Sequence, residues 1–309
     1  MNQAIDPYAA DLPPGARDGR LGVGVVSAGK VGAVLGAALR SAGHHVVGAH
    51  AVSVDSQDRA EALLPGVPVL EIPEILRRAE LILLAVPDDV LGNLVRGTAE
   101  AGHFQPGQLV IHTSGRFGTG ILAPAEQAGA VTLAIHPAMT FTGMSLDLQR
   151  LSASAVAVTA DEEVLPVAQA LAVEMGGEPV VVAEEDRPAY HAALAHASNH
   201  LNILTAQSAQ VLDRIGIEDP SRVLGPLMQA SLDNALASGA GSLTGPVARG
   251  DAGTVAQHLQ VLGGPDMPQD VRGAYAAMAQ SAVQRAVERG LISPSAAADL
   301  LDILSQDPR

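Results

Sequence analysis

The segment from Leu21 to Ala42 constrains this chain more than any other. LGVGVV reads as a buried strand, SAGK as a tight turn, and VGAVLGAALRSA as a helix whose first turn carries small side chains. Such a turn brings a helix N-terminus, with its unpaired N–H groups and the positive end of its dipole, to the carboxyl end of a strand. An anion is favoured there without help from any side chain. Gly29 allows backbone to approach the anion, and Gly32 allows the helix to pack hard on the strand behind it. Ser27 stands where the usual dinucleotide pattern has its first glycine, so the fingerprint reads S-x-G-x-x-G, followed by Gly36. The pattern predicts a diphosphate against Ser27, Ala28, Gly29, Lys30, Val31 and Gly32. The alternative is an α/β turn whose glycines serve packing alone.

A length of 309 residues suffices for two domains, each with its own core. Apolar residues make up 48% and aromatic residues 2%, so the core must be built from Ala, Val and Leu, and close helix packing follows. A formal charge of −15 argues against a nucleic acid or an anionic membrane as partner, because either would be repelled over most approaches. A small-molecule ligand is expected instead. The absence of cysteine excludes disulfides, thiolate metal sites and a cysteine nucleophile. Residues 1–20 carry Asp6, Asp11, Asp18 and three prolines without an apolar segment; they resemble neither a signal peptide nor an anchor and read as a disordered tail. Apolar runs such as Leu81 to Val86 have strand length and are too short to span a bilayer, so a soluble, cytoplasmic protein is expected.

After the first strand and helix, short apolar runs alternate with helical stretches, the order expected of a doubly wound, mostly parallel sheet with crossover helices. Strands are predicted near 45–50, 67–70, 81–86, 109–112, 131–136, 155–159 and 179–182. Pro87 ends the run at 81–86, and Asp88 or Asp89 is expected to cap the next helix. From Glu185 the period becomes helical, with segments near 188–215, 223–237, 251–262 and 271–289, and a last helix that starts at Ser293-Pro294. The expected organisation is a tail over 1–20, an α/β dinucleotide-binding domain over 21–184 and an all-helical domain over 185–305.

In an open parallel sheet, ligands bind beyond the carboxyl ends of the strands. The polar clusters predicted there are the glycine turn, Val86-Pro87-Asp88-Asp89, His112-Thr113-Ser114-Gly115-Arg116, and His136-Pro137 with Thr140. Val86, Pro87, Thr113 and Ser114 are candidates for cofactor contact. Ser114 and Gly115 also suit a substrate carbonyl or carboxylate. Strand ends are also simply where chains become polar. The acidic residue that holds an adenosine ribose is missing after the second strand, where His50, Ala51, Val52 and Ser53 stand, so a 2′-phosphate would not be repelled and NADP(H) is favoured over NAD, with Ser53 as a contact. Lys30, the one lysine of the chain, is a candidate phosphate counter-charge or else a solvated first-turn residue. On the long helix, His191, Ser198, Asn199 and Asn202 share a stripe with Ala195 between them, suited to a substrate cleft. His196 and His200 are four residues apart but lack an evident third ligand, so no metal is expected. Arg249 could clamp a carboxylate in a bidentate pair, or order its loop by pairing with Asp251.

Taken in order, SAGKVG, AVPDD, HTSG, HPAMTF, YHAALAHASNHL and TGPVARGD resemble the Rossmann-like proteins joined to the domain of unknown function 2520, over about Leu21 to Leu304. That family is similar in fold to ketopantoate reductases, β-hydroxyacid dehydrogenases and pyrroline-carboxylate reductases, whose helical second domains, of the 6-phosphogluconate dehydrogenase C-terminal kind, pair into dimers. The resemblance implies NADP(H), a cleft between domains, a small carbonyl or imine substrate and a homodimer. Those reductases carry a proton-donating lysine four residues before an asparagine of the long helix. Matching Asn199 puts Ala195 at that place. Hydride addition still needs a proton source, and histidine titrates near neutrality. His191 is then the first choice for the acid, Asn199 a substrate or oxyanion donor, and His112 and His136 second choices. The expectation is an NADP-dependent reductase of a small 2-oxo or imino acid; the alternative is a non-catalytic NADP(H)-binding sensor or scaffold.

Overall fold

The computed structural model describes residues 19–306. All of the tail expected over 1–20 except Gly19 and Arg20 lies outside them. The chain forms two compact units, the first ending at Ala195 and the second beginning at His196.

The first unit is built on a seven-stranded sheet. Its strands are β1 (Gly22–Val26), β2 (His45–Ala49), β3 (Leu81–Leu84), β4 (Leu109–His112), β5 (Val131–Pro137), β6 (Ala155–Thr159) and β7 (Glu178–Val181). They lie in the order β2-β1-β3-β4-β5-β6-β7, and all neighbours are parallel except β5 and β6. The chain runs outward from β1 to β2 and returns to β3 on the other side of β1, so the strand order reverses between β1 and β3. That is where this architecture opens a ligand crevice. The register aligns Val26, Leu84, His112 and Ala134 across β1, β3, β4 and β5. The loops after these strands therefore leave from one edge.

Alternate residues of each strand enter opposite layers, as the two-residue pleat requires. Val23, Val25, Leu81 and Leu83 pack with α1 (Lys30–Ser41), α2 (Val54–Leu63) and, further along the chain, Leu151 and Leu171. Val26, Ile82, Leu84 and Val110 pack on the other face with α3 (Ile72–Arg78), α4 (Asp88–Glu100) and α5 (Ala123–Gln127). The layer on the α1 face is completed by α6 (Leu146–Leu151) and α7 (Leu165–Glu174). Helix α8 (Arg187–Arg214) starts in this unit.

Two local expectations are corrected. Residues 67–70 form no strand: Val69 makes one isolated bridge to Ala49, since Pro68 has no N–H to donate to a ladder. Neither Asp88 nor Asp89 caps α4. Pro87 is the N-cap, and both carboxylates lie in the first turn without a capping hydrogen bond, where they complement the helix dipole.

The second unit is all helical. The rest of α8 is followed by α9 (Pro220–Ser238), α10 (Gly245–Ala248), α11 (Ala252–Leu262), α12 (Val271–Glu288) and α13 (Pro294–Ser305). Its core gathers Val247, Val255, Leu259, Val283 and Leu300, with Tyr275 against it. Asp251 caps α11 by accepting from the Thr254 amide at 3.0 Å, and Ser293 caps α13 through the Ala296 amide at 3.2 Å. Gln207 of α8 donates to Asp270, at the head of α12, at 2.7 Å. No residue of α9 is buried. Among the described residues, no helix is long and apolar enough to cross a membrane.

Candidate functional site

The glycine turn leaves β1 through Ser27, whose φ of +75° is the only left-handed backbone at a non-glycine residue among those described. A side chain there costs about 1 kcal/mol or more. The Ala28 amide donates to the His50 carbonyl at 2.7 Å and ties the turn to the end of β2, so this amide does not face a ligand. Gly29 is the N-cap of α1, and the first turn carries no acidic residue. The amides of Gly29, Lys30, Val31 and Gly32 have no acceptor among the described residues; the first helical bond is Ala33 N–H to Gly29 O.

The structure gives the two glycines different reasons. A Cβ on Gly32 would lie 2.1 Å from Ser27 O and 3.0 Å from Ala85 Cβ, so the close packing of turn and helix admits no side chain. A Cβ on Gly29 would meet only Ser27 Oγ, at 3.6 Å, and φ there is an ordinary −72°. Glycine at 29 is thus not demanded by the fold. Its missing side chain leaves bare the approach to four free N–H groups, which is what a diphosphate needs.

Lys30 is exposed, and its Cγ lies 3.1 Å from the Cβ position of Gly143, where Arg59 Cδ also comes to 2.9 Å. Two cationic side chains thus meet over one glycine beside the turn. The nearest carboxylate to Arg59 is that of exposed Asp55, at 4.0 Å. The Gly143 segment is held by Asp147, which the sequence reading passed over. Its fully buried carboxylate accepts from the amides of Thr142 and Gly143, each at 2.7 Å, and from Thr142 Oγ1 at 3.0 Å. Burial pushes its pKa up, but the hydrogen bonds from Gly143 and Thr142 outweigh this and hold it below the usual value. Ser53 is exposed and caps α2 through the Ser56 amide at 3.2 Å, between Val52 and Val54, which are 76% and 71% exposed. Val86 and Pro87 follow β3 at the same edge.

The loop after β4 is organised by groups that the sequence offered as reactive. His112 is fully buried; its Nε2 bonds the Gly118 carbonyl at 2.8 Å and its Nδ1 accepts from the Ser114 amide at 3.1 Å. Burial lowers its pKa to about 4, with the Arg187 charge acting in the same direction. Both ring nitrogens are engaged, so His112 braces the loop and cannot face a substrate, contrary to its expected role as an acid. The Ser114 hydroxyl also turns inward, accepting from the amides of Arg116 and Phe117 at 3.2 and 3.4 Å. Glu184 accepts from the amides of Thr119 and Gly120 at 2.7 and 3.1 Å. It crosses so close to Gly118 that no Cβ fits there.

Gly115, in contrast, marks a point of convergence. A Cβ on it would lie 2.9 Å from His136 Nε2 and 3.0 Å from His191 Cδ2. His136, near the end of β5, and His191, in the first turns of α8, are half-buried and flank this glycine. His136 Nδ1 lies 3.0 Å from the Tyr190 hydroxyl, with the rings edge to face. Burial, followed by the Arg187 and His191 charges, lowers the His136 pKa to about 4. Burial raises that of Tyr190.

Beneath them Arg187 is fully buried. It donates to Thr159 Oγ1 at 2.7 Å, to the carbonyls of Ala134 and Ala157 at 2.8 and 3.3 Å, and to Ser114 O at 3.4 Å, without an ion pair. Sequence reasoning missed Arg187 and Tyr190. The signal present was an arginine directly before Pro188 at a helix start, which reads as a surface residue.

In the second unit, Ser198, Asn199 and Asn202 are exposed on α8 and make no side-chain hydrogen bond among the described residues. His196 and His200 are exposed and bonded to each other through their Nδ1 atoms at 2.8 Å. Arg249 is exposed, and Asp251 spends its carboxylate on the cap of α11, so no ion pair joins them.

A sheet with this order and a glycine turn at its reversal point defines a Rossmann-type α/β architecture. Two family models match successive parts of the chain: the Rossmann-like domain over residues 7–137 and the domain of unknown function DUF2520 over residues 154–282. Solved structures share the fold. A Bacteroides fragilis protein described as an NADP oxidoreductase aligns with a TM-score of 0.71 at 20% identity, over 85% of this chain and 98% of its own. The imine reductase of Myxococcus stipitatus in complex with NADP+ gives 0.65 at 16% identity, over 91% and 99%. The 1-pyrroline-5-carboxylate reductase of Streptococcus pyogenes gives 0.56 at 15% identity, over 89% and 99%. No curated protein matches the sequence.

Proposed function

We propose that this protein is an NADP(H)-dependent reductase of a small 2-oxo or imino acid. The observation that carries the reading is the run of unpartnered amides from Gly29 to Gly32, left accessible by a glycine that the fold itself does not require. The names of the structural neighbours support it: an NADP oxidoreductase, an imine reductase bound to NADP+ and a pyrroline-carboxylate reductase. Lys30 and Arg59, meeting over Gly143, supply positive charge for a phosphate beside the turn.

Strands lie about 4.8 Å apart, so the β1 and β4 ends are about 10 Å apart across β3. Thr113, Ser114 and Gly115 would then lie within reach of the nicotinamide end of a dinucleotide held at the turn. When bound, the cofactor supplies a hydride to the carbonyl or imine carbon. The chain's part is to hold the substrate heteroatom over Gly115 and to return a proton to it from His191, whose ring makes no hydrogen bond among the described residues. The products are the hydroxy or amino acid, the oxidised cofactor and a neutral imidazole.

Isothermal titration with NADPH and NADH, followed by a panel of 2-oxo acids and cyclic imines, tests this reading. Preferential NADPH binding with turnover is expected; no binding by either nucleotide would overturn it. A second reading, a cofactor-binding sensor without hydride chemistry, is favoured by the alanine at position 195, where related reductases carry a lysine. Binding without turnover would select it. The reading includes a homodimer through the helical unit, because α9 buries none of its residues and leaves Leu227 and Leu236 62% and 78% exposed. Light scattering that gives a monomer at micromolar concentration would remove that part.

A further inference from the structure

We propose that His136 works as a neutral hydrogen-bond donor through its unpartnered Nε2–H beside Gly115, and that Tyr190 is the positioning residue that fixes this tautomer. The inference rests on the reductase reading and deepens it, since a fixed donor at the reacting heteroatom selects the substrate class.

The argument starts from the ring's two nitrogens. A neutral imidazole has one N–H and one lone pair, and the partner of one nitrogen decides where the proton sits. His136 Nδ1 faces the Tyr190 hydroxyl at 3.0 Å. A phenol is the better donor and an imidazole nitrogen the better acceptor, so the tyrosine donates to Nδ1 and the proton of the ring resides on Nε2. That nitrogen lies 2.9 Å from where a Gly115 side chain would begin, and it has no partner among the described residues. Gly115 is buried, and a Cβ on it would collide with both rings, so only glycine lets His136 and His191 close on this backbone; Nε2 is unpartnered without being sealed off, since no fully buried side-chain nitrogen or oxygen among the described residues lacks a partner.

The surroundings keep the ring uncharged. Arg187 brings a buried guanidinium with no carboxylate in contact, and Glu184, the acidic group acting on it, is committed to the Thr119 and Gly120 amides. Its carbon lies 5.9 Å from the centre of the Tyr190 ring, so tyrosine, histidine and arginine form one packed group. His191 adds to the positive side of this balance, and the Asp88 carboxylate opposes it.

A fixed N–H and a net positive neighbourhood stabilise negative charge that develops on an oxygen. Hydride addition to a C=O group makes such a charge. Hydride addition to a protonated C=N group makes no such charge, and a fixed N–H offers no lone pair to an iminium N–H. The geometry therefore points to a carbonyl substrate, with His136 holding the oxygen while His191 returns the proton.

The test reads the tautomer first and the rate second. Ring-nitrogen NMR of the full-length protein should show His136 as the neutral Nε2–H form at about pH 7 and still neutral at about pH 5, and Tyr190→Phe should give a mixture of both neutral forms. A Nδ1–H form, or a charged ring near pH 6, overturns the proposal. In NADPH turnover of 2-oxo acids, Tyr190→Phe should lower kcat about tenfold with the KM for NADPH unmoved. His136→Gln, which keeps an N–H, should retain more rate than His136→Ala at matched melting temperature. Equal loss in both, a Tyr190→Phe effect confined to KM, or turnover of cyclic imines in preference to 2-oxo acids would also overturn it. Absence of turnover on every substrate, with the Nε2–H form present, would remove the reductase reading and the donor role with it while leaving the tautomer assignment in place.

Discussion

Gly29 and Gly32 differ in what a methyl group would meet, and replacing each by alanine separates folding from binding. At Gly32 the new Cβ would sit 2.1 Å from a backbone oxygen and 3.0 Å from Ala85 Cβ. Backbone cannot swing aside as a flexible side chain can, so the overpacking cost falls near the top of the usual range, about 3 kcal/mol. Better helix propensity returns about 1 kcal/mol. A net loss of about 2 kcal/mol corresponds to a melting temperature lower by about 4–8 °C for a unit of this size.

At Gly29 the nearest atom is 3.6 Å away, so only the weaker N-cap character of alanine counts, about 0.5–1 kcal/mol and about 2 °C. The same methyl occupies the approach to the free amides. Losing even one charge-assisted hydrogen bond, at about 1.5–3 kcal/mol, weakens NADPH by about 10- to 100-fold. Thermal melts and calorimetric titration of both variants make the comparison. A Gly29→Ala protein that binds NADPH like the parent, or a Gly32→Ala protein that melts like it, would refute the division of roles.

Ser27→Gly should relieve the left-handed strain at φ +75° and stabilise the protein by about 1 kcal/mol, read from urea midpoints; an unchanged midpoint would show that the strain is compensated locally. Lys30→Ala and Arg59→Ala should each raise the Kd for NADPH about tenfold while leaving NADH binding unchanged, because their charge is directed at the extra phosphate; equal losses for both nucleotides would place them on the diphosphate instead. His112 and His136 have folded-state pKa values of about 4, below the unfolded value of 6.5. The stability gained from keeping them neutral is therefore full above about pH 6.5 and is lost as the pH falls toward 4, at up to about 1.4 kcal/mol per pH unit for each histidine. Urea midpoints at stepped pH should show this slope, and His112→Gln should remove about half of it. A flat profile would contradict the assignment.

The α/β half was legible because its signals are local. The apolar run LGVGVV and the turn at Ser27 to Gly32 need only neighbouring residues to be read. The run at 67–70 was misread because apolar content says nothing about whether a ladder partner is in reach, and Pro68 leaves one bridge where a strand was expected. The site was legible at its edges. His136 and His191 were visible as polar groups at a strand end and on a helix stripe, but the contact of both with Gly115 depends on how β5 and α8 pack. Burial reverses the reading of other residues. His112 looks reactive in sequence and is consumed by the Gly118 carbonyl and the Ser114 amide. Arg187 looks like a solvated residue and lies at the centre of the unit, because its acceptors come from β5, β6 and the loop after β4, distant in sequence.

The central claim is that the bare amides of the first turn of α1 hold the cofactor's diphosphate. Backbone amide NMR during a titration with NADP+ tests it most directly. Large, saturable downfield shifts of the Gly29, Lys30, Val31 and Gly32 N–H signals are predicted, with the Ala28 signal, already bonded to His50, moving least. Saturating NADP+ that leaves those four signals in place would contradict the account.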